Sequence, residues 1–462
     1  MSPPPDPVAF VDERLGAARP LHKALRYVFP EHWSFLLGEM ALYAFVVLVA
    51  TGIFLALFFD PSTVPTTWHG PYAPLDGTQV SRAYGSALDL SFTVPGGLLM
   101  RQAHHWAALL FVVAITLHLL RVVFTGAFRK PRELTYVVGV TLLTLAVVEG
   151  YAGYSLLDDL LSGMGLAIGY STALSLPGIG GAVGALLWDG PFPGGPAFES
   201  RLFIVHVFIL PAAIATLIGA HLWLVVRTRH AQFPGPGRRE RNVVGAPLWP
   251  AYMLRSLGWL FAVAAVLVLL GGLVQINPVW QWGPYEPWVG GNGAQPDWYL
   301  GWLIGALRLM PNWELEAFGR TLVPNPFFGG VLFPGLVFGF LYALPLVDRL
   351  LFTRDRAHHH VLDRARDNPR RTGVLAAMLV WIVLVFFFGS ADRVFLSLSI
   401  PYELQLWLAR GLVFVAPALA YVLTRRWCLA LRRAAAHPLR GVDARLVPPP
   451  RTLERQDAAG DG

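Results

Sequence analysis

Residues 101–118 read RQAHHWAALLFVVAITLH, an apolar run with imidazoles at both ends. It is long enough to cross most of a bilayer, and an imidazole at membrane depth is costly unless it has a partner. His104 and His118 stand 14 residues apart. That is about 1400° of helical turn, so the two share a face and lie about 21 Å apart along the axis. His105 points away from that face. A second apolar run, 202–227, carries His206 and His221, 15 residues apart and again on one face, about 22 Å apart. Each of two helices thus offers two ligands at two depths. Bis-histidine ligation of two stacked haems requires this pattern, with one axial nitrogen from each helix for each iron.

The surrounding chain places this stretch in a membrane. Of 462 residues, 55% are hydrophobic and 14% charged, against roughly 25% charged in soluble domains. Apolar stretches recur at 36–59, 98–124, 134–157, 202–227, 252–276, 328–351, 373–391 and 402–427. Strand-like alternation is absent, so the fold class is all-α: a polytopic membrane protein of about eight transmembrane helices, with a four-helix bundle holding two stacked haems. A net charge of +7 does not indicate a nucleic-acid partner, because of how the cations are distributed. All but Arg82, Arg101, Arg201, Arg308, Arg320, Arg393 and Arg410 fall in the two terminal segments and in alternate loops. The positive-inside rule then puts both termini in the cytoplasm and predicts an even number of crossings of the plasma membrane, with lipid as the surroundings.

Four segments follow from this pattern. Residues 1–35 read as a cytoplasmic amphipathic segment. Residues 36–230 form the haem-binding four-helix domain, and the Pro/Gly-rich basic stretch HAQFPGPGRRERN (230–242) marks the hinge to a second four-helix domain ending near 446. The tail 447–462 reads as disordered. The lone cysteine, Cys428, permits neither an intrachain disulfide nor a CxxCH attachment, so the haems are expected to be non-covalent, b-type groups. The glycines in 158–200 follow no strand and do not read as a phosphate loop; short surface helices are expected there. His358, His359 and His360 are adjacent, converge poorly on one metal, and read as part of a solvated basic loop.

Glycines repeat the histidine spacing. Gly38 and Gly52 in the first helix, and Gly139 and Gly153 in the third, are each 14 apart. Small residues commonly serve close helix packing in membranes. With alternating helix directions, however, Gly38 and Gly139 share the inner level with His118 and His221, and Gly52 and Gly153 share the outer level with His104 and His206. Glycine at those depths lets a porphyrin approach the backbone.

These histidine and glycine pairs, set on eight helices, resemble cytochrome b of the quinol:cytochrome c reductases. RQAHHWAALLFVVAITLHLLRVVFTGAFRKPRELTYVVGV is also similar to the chloroplast cytochrome bf relative, and GYSLLDDLLSG (153–163) to the actinobacterial branch, with Leu157 where that branch usually has proline. A covalent third haem is not expected, because Leu36 stands where the chloroplast relative has its cysteine. The resemblance implies that Arg101 and Arg121, each one helical turn beyond a histidine, pair with haem propionates, a role suited to a bidentate guanidinium. It also implies that Pro296, Asp297, Trp298 and Tyr299, similar to the PEWY signature with aspartate for glutamate, form the quinol site. Asp297 and Tyr299 are then the catalytic side chains, Asp297 as the proton acceptor. The implied activity is oxidation of quinol, expected to be menaquinol, at the outer face, with electrons carried to a quinone site at the inner face. The implied partners are a Rieske iron–sulfur protein, a cytochrome c subunit and a terminal oxidase, in a homodimeric complex.

Two other functions fit part of the pattern. A dihaem anchor of a quinone-linked dehydrogenase would use paired histidines without needing helices five to eight or PDWY. A secondary transporter would use eight helices and leave the histidines without a task.

Overall fold

The computed structural model describes residues 12–14, 16, 18–289 and 295–436. Among them are eight helices long and apolar enough to cross a membrane: α1 Trp33–Ala56, α2 Gly97–Phe124, α3 Glu133–Leu157, α4 Phe198–Thr228, α5 Leu248–Leu273, α6 Phe328–Phe352, α7 Pro369–Ser390 and α8 Tyr402–Ala435. α4, α5 and α7 each begin about a turn earlier than expected, and α8 runs to Ala435, about two turns beyond its expected end. Asn368 explains one of these starts: its side chain accepts the N–H of Arg371, and Pro369 at the first helical position has no N–H to lose. The expected disordered tail lies outside the described residues. In the N-terminal segment, Ala18–Leu25 is a short helix.

The first four helices enclose a core of mostly small and branched side chains. Ala41 and Ala44 of α1, Phe111, Val112 and Ala114 of α2, Leu142, Leu143 and Ala146 of α3, and Ile214 of α4 meet there, with Tyr299 and Leu300 packed on one end. α5 lies outside this bundle, where Val263 and Leu267 pack against Ala107 of α2 and Met40 and Val47 of α1. α6 leans on α3, and Tyr136 donates its hydroxyl to the Leu341 carbonyl at 2.9 Å. α7 and α8 pack with the short helix Gly301–Leu309 around Val385, Phe388, Ala391 and Ala409. Among the described residues the six strands are short and form three two-stranded pairs that tie loops rather than build a layer.

α4 is not uniform. Val205–Ile209 form a π-helical turn followed by Pro211, whose ring nitrogen donates no hydrogen bond. The π turn contains His206 and runs toward His221, taking up one extra residue. A spacing of 15 in α4 therefore matches a spacing of 14 in α2.

One loop follows expectation and another departs from it. The 158–200 segment does form helices, Leu160–Leu174 and Gly180–Trp188. The turn before them closes without the family's proline: Ser155–Leu157 make one 3-10 turn, Asp158 takes a left-handed conformation (φ 50°), and Asp159 caps the next helix by accepting the Ser162 N–H at 2.7 Å. The basic loop around His358–His360 is tied down rather than freely solvated. His359 pairs with Asp355 at 2.8 Å, the His360 N–H donates to Glu240, and Arg132 donates to the His359 carbonyl. Beneath it, Arg371 is fully buried between Asp348 (3.3 Å) and Asp363 (2.6 Å), and Asp363 also receives Arg129 at 2.8 Å. A buried guanidinium is tolerable only when charge and hydrogen bonds compensate it, and here Asp348 near the end of α6 and Asp363 in the loop before α7 supply them.

Candidate cofactor and quinol sites

Packing sorts the four histidines by depth. A Cβ added at Gly38 would lie 3.2 Å from His118 Cε1, and one at Gly139 would lie 3.4 Å from His221 Cε1. At the other level, a Cβ on Gly52 would lie 3.3 Å from His104 Cε1, and one on Gly153 would lie 2.8 Å from His206 Nε2. Each glycine thus sits against the imidazole at its own level. These positions give the rings room, where the sequence suggested room for a porphyrin.

The rings of His104 and His206 face each other across the bundle, their centres 6.3 Å apart and their planes at 82°. Two imidazole nitrogens each about 2 Å from one metal ion put the ring centres roughly 6 Å apart, so this spacing fits an axial pair. His104 is steadied by Thr51, whose Oγ1 lies 2.9 Å from Nδ1, and Glu149 Oε1 lies 3.0 Å from His206 Nδ1. The Nδ1 atoms of His118 and His221 are buried with no hydrogen-bond partner.

The two arginines leave donors open. Arg101 is buried; its Nη1 donates to the Asn277 carbonyl at 3.0 Å, while Nε and Nη2 have no partner. Arg121 stacks its guanidinium 4.3 Å over the Phe35 ring and leaves a buried Nε unpaired. Unsatisfied buried N–H groups on a cation are what a carboxylate satisfies. Paired imidazoles with an open guanidinium one turn away therefore fit a haem and its propionates at each level.

The PDWY residues divide between two surroundings. Pro296 and Leu300 border an apolar cavity of about 280 Å³, whose other walls are Val147, Val148, Tyr151 and Tyr154 of α3 and Leu161, Met164, Gly165 and Ile168 of the following helix. Asp297 turns toward α2, where its Oδ1 lies 2.9 Å from His105 Nε2, and its Oδ2 accepts the Tyr299 hydroxyl at 3.4 Å. Tyr299 is buried, and its hydroxyl packs against Gly150 of α3. Burial, with the neighbouring Asp297 carboxylate, pushes the Tyr299 hydroxyl well above its ordinary pKa, so it acts as a donor. Trp298 stands edge-on to Tyr299 with ring centres 6.1 Å apart. His105 is the residue that sequence reasoning missed: its position off the ligand face was readable, but not what it would meet.

Comparison with known proteins bears on the family. The profile of the family described as cytochrome b (N-terminal)/b6/petB matches residues 109–284. The cytochrome bc1 complex cytochrome b subunit of Mycobacterium tuberculosis strain H37Rv is 47% identical over 425 residues, covering 92% of this chain and 77% of that one. The subunits so named from Corynebacterium diphtheriae and Streptomyces coelicolor are 45% and 42% identical over 424 residues, covering 92% of this chain and 78% and 77% of theirs. Among solved structures, a chain of a hyperthermophilic respiratory complex III shares the fold, with a TM-score of 0.67 at 20% identity over 92% of this chain and 99% of that one.

Proposed function

The chain belongs to the cytochrome b subunits of bc1-type respiratory complexes, a multi-pass, haem b-binding component of complex III, and from that premise we propose how its own residues divide the work. Quinol binds in the apolar cavity beside Pro296, with its ring among the α3 side chains and a hydroxyl toward Asp297. Quinol cannot readily give up an electron until a proton has somewhere to go, so a base within hydrogen-bond reach is required, and Asp297 is that base. Tyr299 donates to the same carboxylate and aligns it, while Pro296 and Trp298 shape the turn that presents it. The quinol is a menaquinol, in keeping with the actinobacterial resemblance.

Two haems b, when bound, supply one-electron acceptors at two depths. His104 and His206 would hold one and His118 and His221 the other, with Gly52, Gly153, Gly38 and Gly139 giving the rings room and Arg101 and Arg121 taking the propionates. The two levels are about 21 Å apart along α2. Charge carried between them toward a quinone reduction site on the other face works against the membrane potential, roughly 2.3 kcal/mol per charge per 100 mV for a full crossing. The complex would sit in the plasma membrane with both termini of this chain in the cytoplasm. Its partners would be a Rieske iron–sulfur protein, a cytochrome c subunit and a terminal oxidase, around a homodimer.

The observation that carries this reading is the apolar cavity bordered by Pro296, with the Asp297 carboxylate next to it in the chain. The test is reduction of the b-type spectral bands of the purified complex by a menaquinol analogue. Reduction that is sensitive to substitution in the PDWY loop, lost in Asp297→Asn while both haems remain bound, supports the proposal. A dehydrogenase anchor would reduce its haems without regard to this loop.

A further inference from the structure

A second cavity, of about 400 Å³, opens where α3 begins and α6 ends, lined among others by Lys130, Glu133, Leu346, Arg349 and Arg356. We propose that it binds the phosphate headgroup of an anionic phospholipid. The site holds more positive charge than the protein itself neutralises. Of its other charged walls, Arg129 is paired with Asp363 and Asp348 with Arg371, while Asp355 lies 2.8 Å from the His359 ring. Lys130, Arg349 and Arg356 are exposed and make no ion pair with any described residue, leaving three cations against the two carboxylates of Glu133 and Asp355. Like charges gathered in one concavity repel each other, and a phosphate monoanion relieves that repulsion while accepting several charge-assisted hydrogen bonds.

Depth and shape select a lipid over a free anion. The cavity lies at the ends of two membrane-spanning helices, which is the level of lipid headgroups. From it an apolar stripe runs back along α6, where Leu346 and, four residues earlier, Tyr342 are 49% and 36% exposed. A headgroup in the cavity would lay its acyl chain along this stripe. Inorganic phosphate would meet the cations but make no use of the stripe. The site lies apart from the quinol cavity, and the proposal stands or falls independently of the quinol chemistry.

The experiment uses the whole detergent-solubilised complex, depleted of lipid, and follows protection of Lys130 from an amine-reactive label by mass spectrometry. Dioctanoyl phosphatidylglycerol should protect Lys130, while equal concentrations of inorganic phosphate or dioctanoyl phosphatidylcholine should not. Arg349→Gln and Arg356→Gln should each weaken the protection about fivefold, the contribution expected of one cation near an anionic headgroup. Arg393→Gln, a cation elsewhere on the surface, should leave it unchanged. Equal protection by phosphate would identify a free-anion site and overturn the lipid assignment. No protection by phosphatidylglycerol, or none lost in the two arginine variants, would overturn the proposal outright.

Discussion

His105 Nε2 lies 2.9 Å from Asp297 Oδ1, joining α2 to a loop residue 192 positions away in the chain. The other carboxylate oxygen accepts from Tyr299, so the group is held from two sides. A base fixed in place is worth more than one that must be ordered at each turnover. Asp297→Asn should therefore keep both haem spectra and lose about 100-fold or more in quinol oxidation, while Asp297→Glu retains it. His105→Phe removes a hydrogen bond to the carboxylate and should lower turnover roughly tenfold with haem content intact. Steady-state quinol:cytochrome c reductase rates, measured beside the reduced-minus-oxidised spectrum, decide both outcomes. Wild-type turnover in Asp297→Asn would remove the carboxylate from the chemistry.

The ligand pairing makes a spectral prediction. His104 and His206 face each other at one level, while His118 and His221 lie against Gly38 and Gly139 at the other. Replacing either His118 or His221 should abolish one b-type component, and replacing His104 or His206 the other. Loss of one identical component in His104 and His118 variants would break the assignment.

Much of this arrangement was legible in the sequence, and the rest was hidden for identifiable reasons. Hydropathy located eight spans, and helical periodicity brought each glycine to the level of its histidine, because both depend only on local spacing. The π turn at 205–209 left no signal beyond a spacing of 15 and Pro211 five residues after His206. The His105–Asp297 contact was invisible because a loop, not a period, brings the two together. Arg371 read as one more cytoplasmic arginine, since nothing local announces that Asp348 and Asp363 fold over it.

That buried arginine predicts a stability effect. Arg371→Ala would leave Asp348, itself buried, without its partner. Breaking such a pair costs about 3–5 kcal/mol, whereas replacing the whole set with apolar groups can be neutral. The variant should assemble poorly or melt well below wild type in a thermal-shift assay, and Arg371→Met with Asp348→Leu should recover part of the loss.

His230 predicts a pH dependence. Burial, with Arg121 and Arg132 nearby, lowers its pKa from 6.5 to about 4, and its Nδ1 meets the Tyr27 hydroxyl at 3.0 Å. Between those two values the unfolded chain binds a proton that the folded one does not. The stabilisation is therefore complete above about pH 6.5 and is lost as pH falls toward 4. His230→Phe should melt lower than wild type at pH 7.5 because Tyr27 loses its partner, and should lose less melting temperature than wild type between pH 7.5 and 5. Equal slopes would show that His230 does not titrate across folding.

The four ring-contacting glycines should not be equally sensitive to substitution. At Gly139 an added methyl group would lie 3.4 Å from His221 Cε1, an ordinary contact, so Gly139→Ala should keep its haem component. At Gly153 the methyl group would press on Cε1 and lie 2.8 Å from Nε2 of His206. Something must shift, and because His206 sits on a π turn whose hydrogen bonds are already irregular, the ring moves more easily than the α3 backbone. Gly153→Ala should therefore displace His206 and shift or abolish the His104/His206 component, leaving the other intact. Low-temperature reduced spectra of the two variants make the comparison. Equal loss in both, or loss in Gly139→Ala alone, would show that close approach to the histidine ring is not what these glycines provide.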